Sequence, residues 1–331
     1  MMKTISIVVP TYNEEQNIEN VYRKVTELFD KELSDYEMEL LFIDNASTDK
    51  SQEIIQQLTQ KDSRVQAIFN ATNFGFSRSS FYGLSQAEGD CAVMMYADLQ
   101  DPPEVIPEFV KKWEAGYQIV VGIKSKSKEN RLMYAIRGMY YHILDKISEV
   151  DHIKQFDGFG LYDKAFVEEL RRLEDPLPYL RGLVAELGAK RTEVEYEQQL
   201  RKKGKTSFNF IRYYDVAMLG ITSSTKAIMR MATFLGMGLS AICILIAVIT
   251  LILKLVNWDY YDIGTAAIII GIFFVGGIQT FFLGFLGEYI ANINIRTMKH
   301  PVVVEAKRIN MRRTGRDSQR MNQSDIDIKE I

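Results

Sequence analysis

Cysteine is all but missing from this chain: of 331 residues only Cys91 and Cys243 carry a thiol. Neither a disulfide framework nor a zinc-type spacing can be built from them. Cys91 lies in an apolar run that reads as a buried strand, and Cys243 in a second apolar stretch. A reducing, cytosol-facing domain is the expectation. A glycine-rich loop of the dinucleotide or P-loop kind is also missing, so bound phosphates would need a metal or basic side chains. No leader is expected, because Met1-Met2-Lys3-Thr4 runs straight into a strand pattern. Neither sign of charge dominates the whole chain, whose formal net charge is −3, and no nucleic-acid partner is expected.

What is present suits a folded enzyme. Apolar residues make up 47% and charged ones 25%, and the length exceeds one average domain. Residues 4–125 alternate strand and helix patterns. Strands are predicted at Ile5–Pro10, Glu39–Asp44, Val65–Phe69, Ala92–Tyr96 and Gln118–Gly122. A helix is predicted over about 17–30, and another from Ser47-Thr48-Asp49, good N-terminal residues. The expected fold class is α/β: a mostly parallel sheet covered by helices, with the site at the strand C-termini.

Residues 126–205 are mixed and charged, with helices expected near 131–149 and 163–173. Over 206–229, Ile211, Tyr214, Met218 and Ile221 recur at helical spacing. That fits an amphipathic helix in a membrane interface or one packed on a core, since periodicity does not separate the two. The apolar segments 231–256 and 263–287 each exceed the roughly 20 residues that span a bilayer, so two transmembrane helices are expected. Lys226 and Arg230 before them, and Arg296, Lys299, Lys307, Arg308, Arg312 and Arg313 after, would keep both termini and the catalytic domain cytosolic. The expectation is therefore a multi-pass protein of a bacterial inner membrane. The organisation reads as a catalytic domain 1–205, an interfacial helix 206–229, a transmembrane hairpin 230–295 and a basic tail 296–331, disordered beyond Thr314. Glycines 271, 276, 277, 284 and 287 would let helices pack closely, which suggests a homo-oligomer, a tetramer among the options.

The segment Tyr96-Ala97-Asp98-Leu99-Gln100-Asp101-Pro102-Pro103 carries the most chemistry. A carboxylate at the exit of an apolar strand, with an amide two positions on, offers oxygen ligands to a hard divalent cation that bridges to phosphates. A plain strand-to-helix turn with Asp101 as N-cap is the competing reading. Two more strand ends resemble it: Pro10-Thr11-Tyr12-Asn13-Glu14-Glu15 and Asp44-Asn45-Ala46-Ser47-Thr48-Asp49. Three such loops on successive parallel strands suit a nucleotide held through its hydroxyls and base edge.

These motifs, with Asn73-Phe74-Gly75 and Ala97–Glu104, resemble the inverting family-two nucleotide-sugar glycosyltransferases of GT-A fold. Tyr179–Leu183, Arg201-Lys202-Lys203-Gly204-Lys205-Thr206-Ser207 and Gly287-Glu288-Tyr289-Ile290 are similar to the branch that includes dolichyl-phosphate mannose synthase, and most of all to its bacterial undecaprenyl-phosphate (bactoprenol) glucosyltransferases. The likeness runs over about residues 3–295. It implies that Pro10, Tyr12, Glu14 and Asp44 line a nucleotide pocket for a UDP-sugar, and that Asp98 and Gln100 hold Mg2+ or Mn2+. It also implies that Arg201 and Lys205, with Arg131 as a further candidate, clamp phosphate at the lipid bilayer. The acceptor implied is a polyprenyl phosphate.

Two positions depart from the family pattern. Many relatives begin the acidic motif with another aspartate, where this chain has Tyr96; Asp101 or water would then complete the metal shell. Relatives also often carry aspartate directly before Phe-Arg-Leu, whereas here Asp157 stands one place early and Gly160 replaces the arginine. Asp157 is read as a catalytic base or as a turn former. A lipid phosphate, with a second pKa near 6, is largely ionised at neutral pH and attacks without a base. The remaining readings are a processive polysaccharide synthase and a degenerate, non-catalytic membrane scaffold. The synthase would need a Gln-x-x-Arg-Trp signature, and neither Trp113 nor Trp258 follows an arginine.

Overall fold

The structure, a computed structural model, describes residues 2–126, 153, 155–173, 175, 178–187, 189–199, 265–297 and 300–311, with single helical positions at 218, 234, 238, 245, 252 and 256. Its centre is an eight-stranded sheet: β1 (Lys3–Thr11), β2 (Tyr36–Asp44), β3 (Val65–Asn70), β4 (Cys91–Met94), β5 (Ile119–Lys126), β6 (Gly160–Asp163), β7 (Arg191–Glu197) and β8 (Glu305–Ile309). Their order across the sheet is β7-β5-β6-β4-β1-β2-β3-β8. The four central strands β4, β1, β2 and β3 run parallel, as the alternating pattern predicts. β6 enters antiparallel between β4 and β5, and β8 is antiparallel on β3.

Parallel strands covered on both faces need apolar side chains on both, which is why β1 and β2 are rich in apolar residues, interrupted at Ser6 and Glu39. Ile5, Ile7, Val9, Leu40 and Phe42 face one layer, built from α1 (Ile18–Glu32), α2 (Ser51–Lys61) and α4 (Ile106–Glu114). Val8, Leu41, Ile43, Ala92 and Met94 face the other, built from α3 (Phe76–Gln86) and α5 (Lys164–Arg172). The period of two along a strand makes this split. α3 comes so near the sheet at Gly83 that an added Cβ would stand 2.7 Å from Ile43 Cγ2. Two further helices are α6 (Leu180–Glu186) and α7 (Thr265–Thr297).

Beyond α7 the chain returns to the sheet. Arg78 on α3 donates to the carbonyls of Val302 and Pro301, each at 2.8 Å. The Asn310 amide donates to the carbonyls of Thr59 and Val65 at 2.8 and 2.9 Å. β8 thereby covers the edge of β3, which would otherwise present a row of unpaired backbone groups.

The expected membrane topology is corrected. Among the described residues no helix is long and apolar enough to cross a membrane, which overturns the expectation of a multi-pass inner-membrane protein. The second expected span, 263–287, falls largely within α7, which runs on through Glu288, Asn292, Asn294 and Arg296 to Thr297. An apolar run in sequence marks where a helix can form but not what it crosses. The expected first span 231–256, the interfacial helix 206–229 and the helix near 131–149 lie outside the described residues, apart from single positions.

Candidate active site

The C-terminal ends of β1, β2 and β4 meet on one rim. Pro10 lies two residues past the last β1–β4 pair, Val8 with Met94, so its missing N–H breaks no ladder bond. The next turn is laced to the end of β2. Asn13, at φ 56°, donates its N–H to Ser47 Oγ at 2.9 Å and accepts from the Thr48 N–H at 2.8 Å. The Glu14 N–H donates to Ser51 Oγ at 2.9 Å, and its carboxylate accepts from the Asn17 amide at 2.6 Å. Tyr12, just before Asn13, is half-buried. Pro10, Tyr12, Glu14 and Asp44 thus lie at the paired ends of β1 and β2 or in the turn that follows β1.

Asp44 is fully buried. One carboxylate oxygen accepts from the Ser47 N–H at 3.0 Å and the Gln52 amide at 2.7 Å. The other, Oδ1, is buried without a hydrogen-bond partner. Burial pushes the Asp44 carboxyl above its ordinary range, against the lowering effect of the Ser47 and Gln52 bonds. Asn45, next along, binds the Asn73 and Asn70 side chains and the Phe74 N–H, tying the loop after β3 to the same rim.

The acidic loop after β4 turns at Leu99, φ 54°, and Asp98 Oδ1 accepts from the Gln100 N–H at 3.1 Å. Asp98 also lines a pocket of about 400 Å³ with Gln16, Asn17, Arg23, Lys24 and Gln199. Among the described residues no three of His, Cys, Asp and Glu form a metal cluster. The donors at hand, a carboxylate and an amide, are oxygen ligands that suit Mg2+ or Mn2+ when diphosphate and water complete the shell.

Asp101 does not cap a helix, as the turn reading had it. It points inward, 1% exposed, and accepts from the Tyr196 hydroxyl on β7 at 2.6 Å. Lys124, at the end of β5, lies 3.9 Å from Asp101 and 2.6 Å from Asp157 Oδ2. Burial, reinforced by the Asp157 charge and opposed by Lys124, pushes the Asp101 carboxyl up to about 7. Turned into the protein, Asp101 does not stand in for the missing metal ligand. The Gln199 N–H donates to the Gln100 carbonyl at 2.8 Å, so the end of β7 rests on the acidic loop.

Asp157 precedes β6. Its Oδ1 accepts from the Phe159 N–H at 3.2 Å, the bond expected of a turn former, while Oδ2 meets Lys124. Arg131, Arg201 and Lys205 lie outside the described residues. Sequence reasoning missed Lys124 and Tyr196. A lysine at the exit of the apolar run Ile119-Val120-Val121 was a usable signal; Tyr196 alternates with glutamates, which marks a strand but not a site residue.

The family model described as glycosyl transferase family 2 matches residues 6–170. A prophage bactoprenol glucosyl transferase homolog of Escherichia coli (strain K12) is 33% identical over 90% of this chain and 96% of its own. The glycosyltransferase YkcC of Bacillus subtilis (strain 168) is 34% identical over 91% of this chain and 93% of its own. Mannosyl-3-phosphoglycerate synthase from Rubrobacter xylanophilus overlays with a TM-score of 0.48 at 12% identity, over 71% of this chain and 75% of that one. The chain belongs to glycosyl transferase family 2.

Proposed function

We infer that the protein moves a hexose, glucose being favoured, from a UDP-sugar to undecaprenyl or another polyprenyl phosphate with inversion. An α-linked donor would give a β-linked lipid phosphate sugar and UDP. The observation that carries this reading is one rim holding Asp44, Asp98 and the Lys124–Asp157 pair, in a chain matched along 90% of its length by a bactoprenol glucosyl transferase homolog.

The roles follow from the chemistry. Asp44 offers a buried acceptor to a nucleotide N–H or hydroxyl. Asp98 and Gln100 would hold Mg2+ or Mn2+, which when bound offsets the charge of the leaving diphosphate. The ionised acceptor phosphate needs in-line placement more than deprotonation. Arg201 and Lys205 supply cationic donors for it, two and six positions after Gln199 in sequence.

A donor panel with the purified full chain and undecaprenyl phosphate, read by mass spectrometry of the lipid product, tests the reading. Asp98→Ala is expected to lower kcat about a hundredfold or more, the loss of several kcal/mol of charge stabilisation. Arg201→Ala and Lys205→Ala are expected to raise KM for the lipid phosphate roughly tenfold each. A folded preparation that turns over no UDP-sugar with any polyprenyl phosphate overturns it.

A further inference from the structure

Two tyrosine hydroxyls grip consecutive carbonyls of one turn. Tyr96 Oη donates to the Asp157 carbonyl at 2.8 Å, and Tyr162 Oη to the Gly158 carbonyl at 2.8 Å. Tyr162 is fully buried, and the Tyr96 ring packs on Phe76 with centroids 5.4 Å apart. Between the carbonyls, Gly158 adopts φ +118°, a region that side chains rarely enter. A Cβ there would stand 2.6 Å from Tyr96 Oη. With Tyr96 in place, position 158 therefore takes only glycine. The turn fixes the Asp157 carboxylate at both oxygens, through the Phe159 N–H and Lys124.

We propose that Tyr96 is a positioning residue: its hydroxyl, committed to the Asp157 carbonyl, holds the Asp157–Gly158 turn against the acidic loop and is not a metal ligand. A residue of the acidic motif thus sets where the Asp157 carboxylate and its Lys124 partner stand relative to Asp98. The two strand ends cannot shift independently, because β4 and β6 are paired at Met94 and Gly160, immediately beside both loops. This rests on the transferase reading given above, but the geometry can be tested without it.

Tyr96→Phe removes the hydroxyl and keeps the ring on Phe76. With the full chain, kcat is expected to fall roughly tenfold, the rate equivalent of one hydrogen bond, while KM for the donor stays within about twofold. A role confined to stability would leave kcat of the folded fraction unchanged. Calorimetric titration of UDP with Mn2+ is expected to match wild type; weaker metal-dependent binding in Tyr96→Phe would make Tyr96 a ligand and overturn the proposal. Gly158→Ala is expected to cost more kcat in the wild type than in the Tyr96→Phe background, where the clashing oxygen is gone. Additive losses would overturn the pairing. Hydrogen exchange gives an answer even if the wild type turns over no donor. The Phe159 amide should exchange faster in Tyr96→Phe, and equal protection sinks the proposal.

Discussion

Lys124 is the side chain on which most of the site's charge turns. It is 12% exposed, with Asp157 at 2.6 Å and the buried Asp101 at 3.9 Å. Removing one member of a buried ion pair leaves the other desolvated and uncompensated, which costs about 3–5 kcal/mol where burial is complete. Asp157 keeps 28% of its side-chain surface, so the loss on Lys124→Met should be smaller, about 2 kcal/mol by urea unfolding. Turnover should fall further than stability accounts for, because the Asp157 carboxylate loses its Oδ2 partner. A variant with wild-type stability would mean that the ammonium contributes no net attraction. Asp44 and Asp98 could be placed at strand ends from the sequence because each follows an apolar strand run. Lys124 stood at a readable strand exit, but its partners, like those of Asp101 and Tyr196, come from strands that are neighbours in the sheet but distant in the chain.

At the scale of elements, legibility followed burial. β1 to β4 run through the middle of the sheet with both faces covered, and their mostly apolar runs showed in the sequence within a few residues of their true ends. β6 is four residues, Gly160 to Asp163, too short for any period to register. β7 did carry a signal in its buried Val194 and Tyr196 between glutamates, a period of two that marks a half-exposed strand. α5 depends on one residue at its start. Asp163 Oδ1 accepts from the Ala165 N–H at 2.8 Å as the N-cap, while Oδ2 accepts from the Trp113 indole at 2.7 Å. Asp163→Ala should cost about 2 kcal/mol, roughly half for the cap and half for the stranded indole N–H. Asp163→Asn should recover only the cap half, because its amide would set a donor against the indole. Equal losses in the two variants, by chemical denaturation, would mean that the cap contributes nothing.

Across the whole molecule, one sheet joins residues from both ends of the chain, β1 at its centre and β8 at its edge. The strand of the C-terminal segment could not be read from composition, since its charged residues suit an exposed edge as well as a solvated tail. The end of the sheet away from the active site holds a third buried carboxylate. Glu39 is 8% exposed. It accepts from Ser6 Oγ at 2.6 Å, the Gln66 amide at 3.2 Å and the Glu88 N–H at 3.3 Å, and so ties β1, β2, β3 and the segment after α3 together. Burial raises its carboxyl above the ordinary value of 4.5, outweighing those bonds. The sign for stability follows. Between the unfolded and the folded value, the folded protein holds a proton that the unfolded chain has released. Stability from Glu39 is therefore complete below the unfolded value and falls as pH rises towards the folded one. Glu39→Gln carries no such proton and should lack that fall. Urea unfolding from about pH 4 to about pH 8 should show wild type losing stability relative to the variant as pH rises, and then a constant difference. Asp44 and Asp101, also raised by burial, are present in both proteins and cancel in the comparison. Parallel curves for the two proteins would mean that the three hydrogen bonds hold Glu39 ionised as readily in the fold as in water.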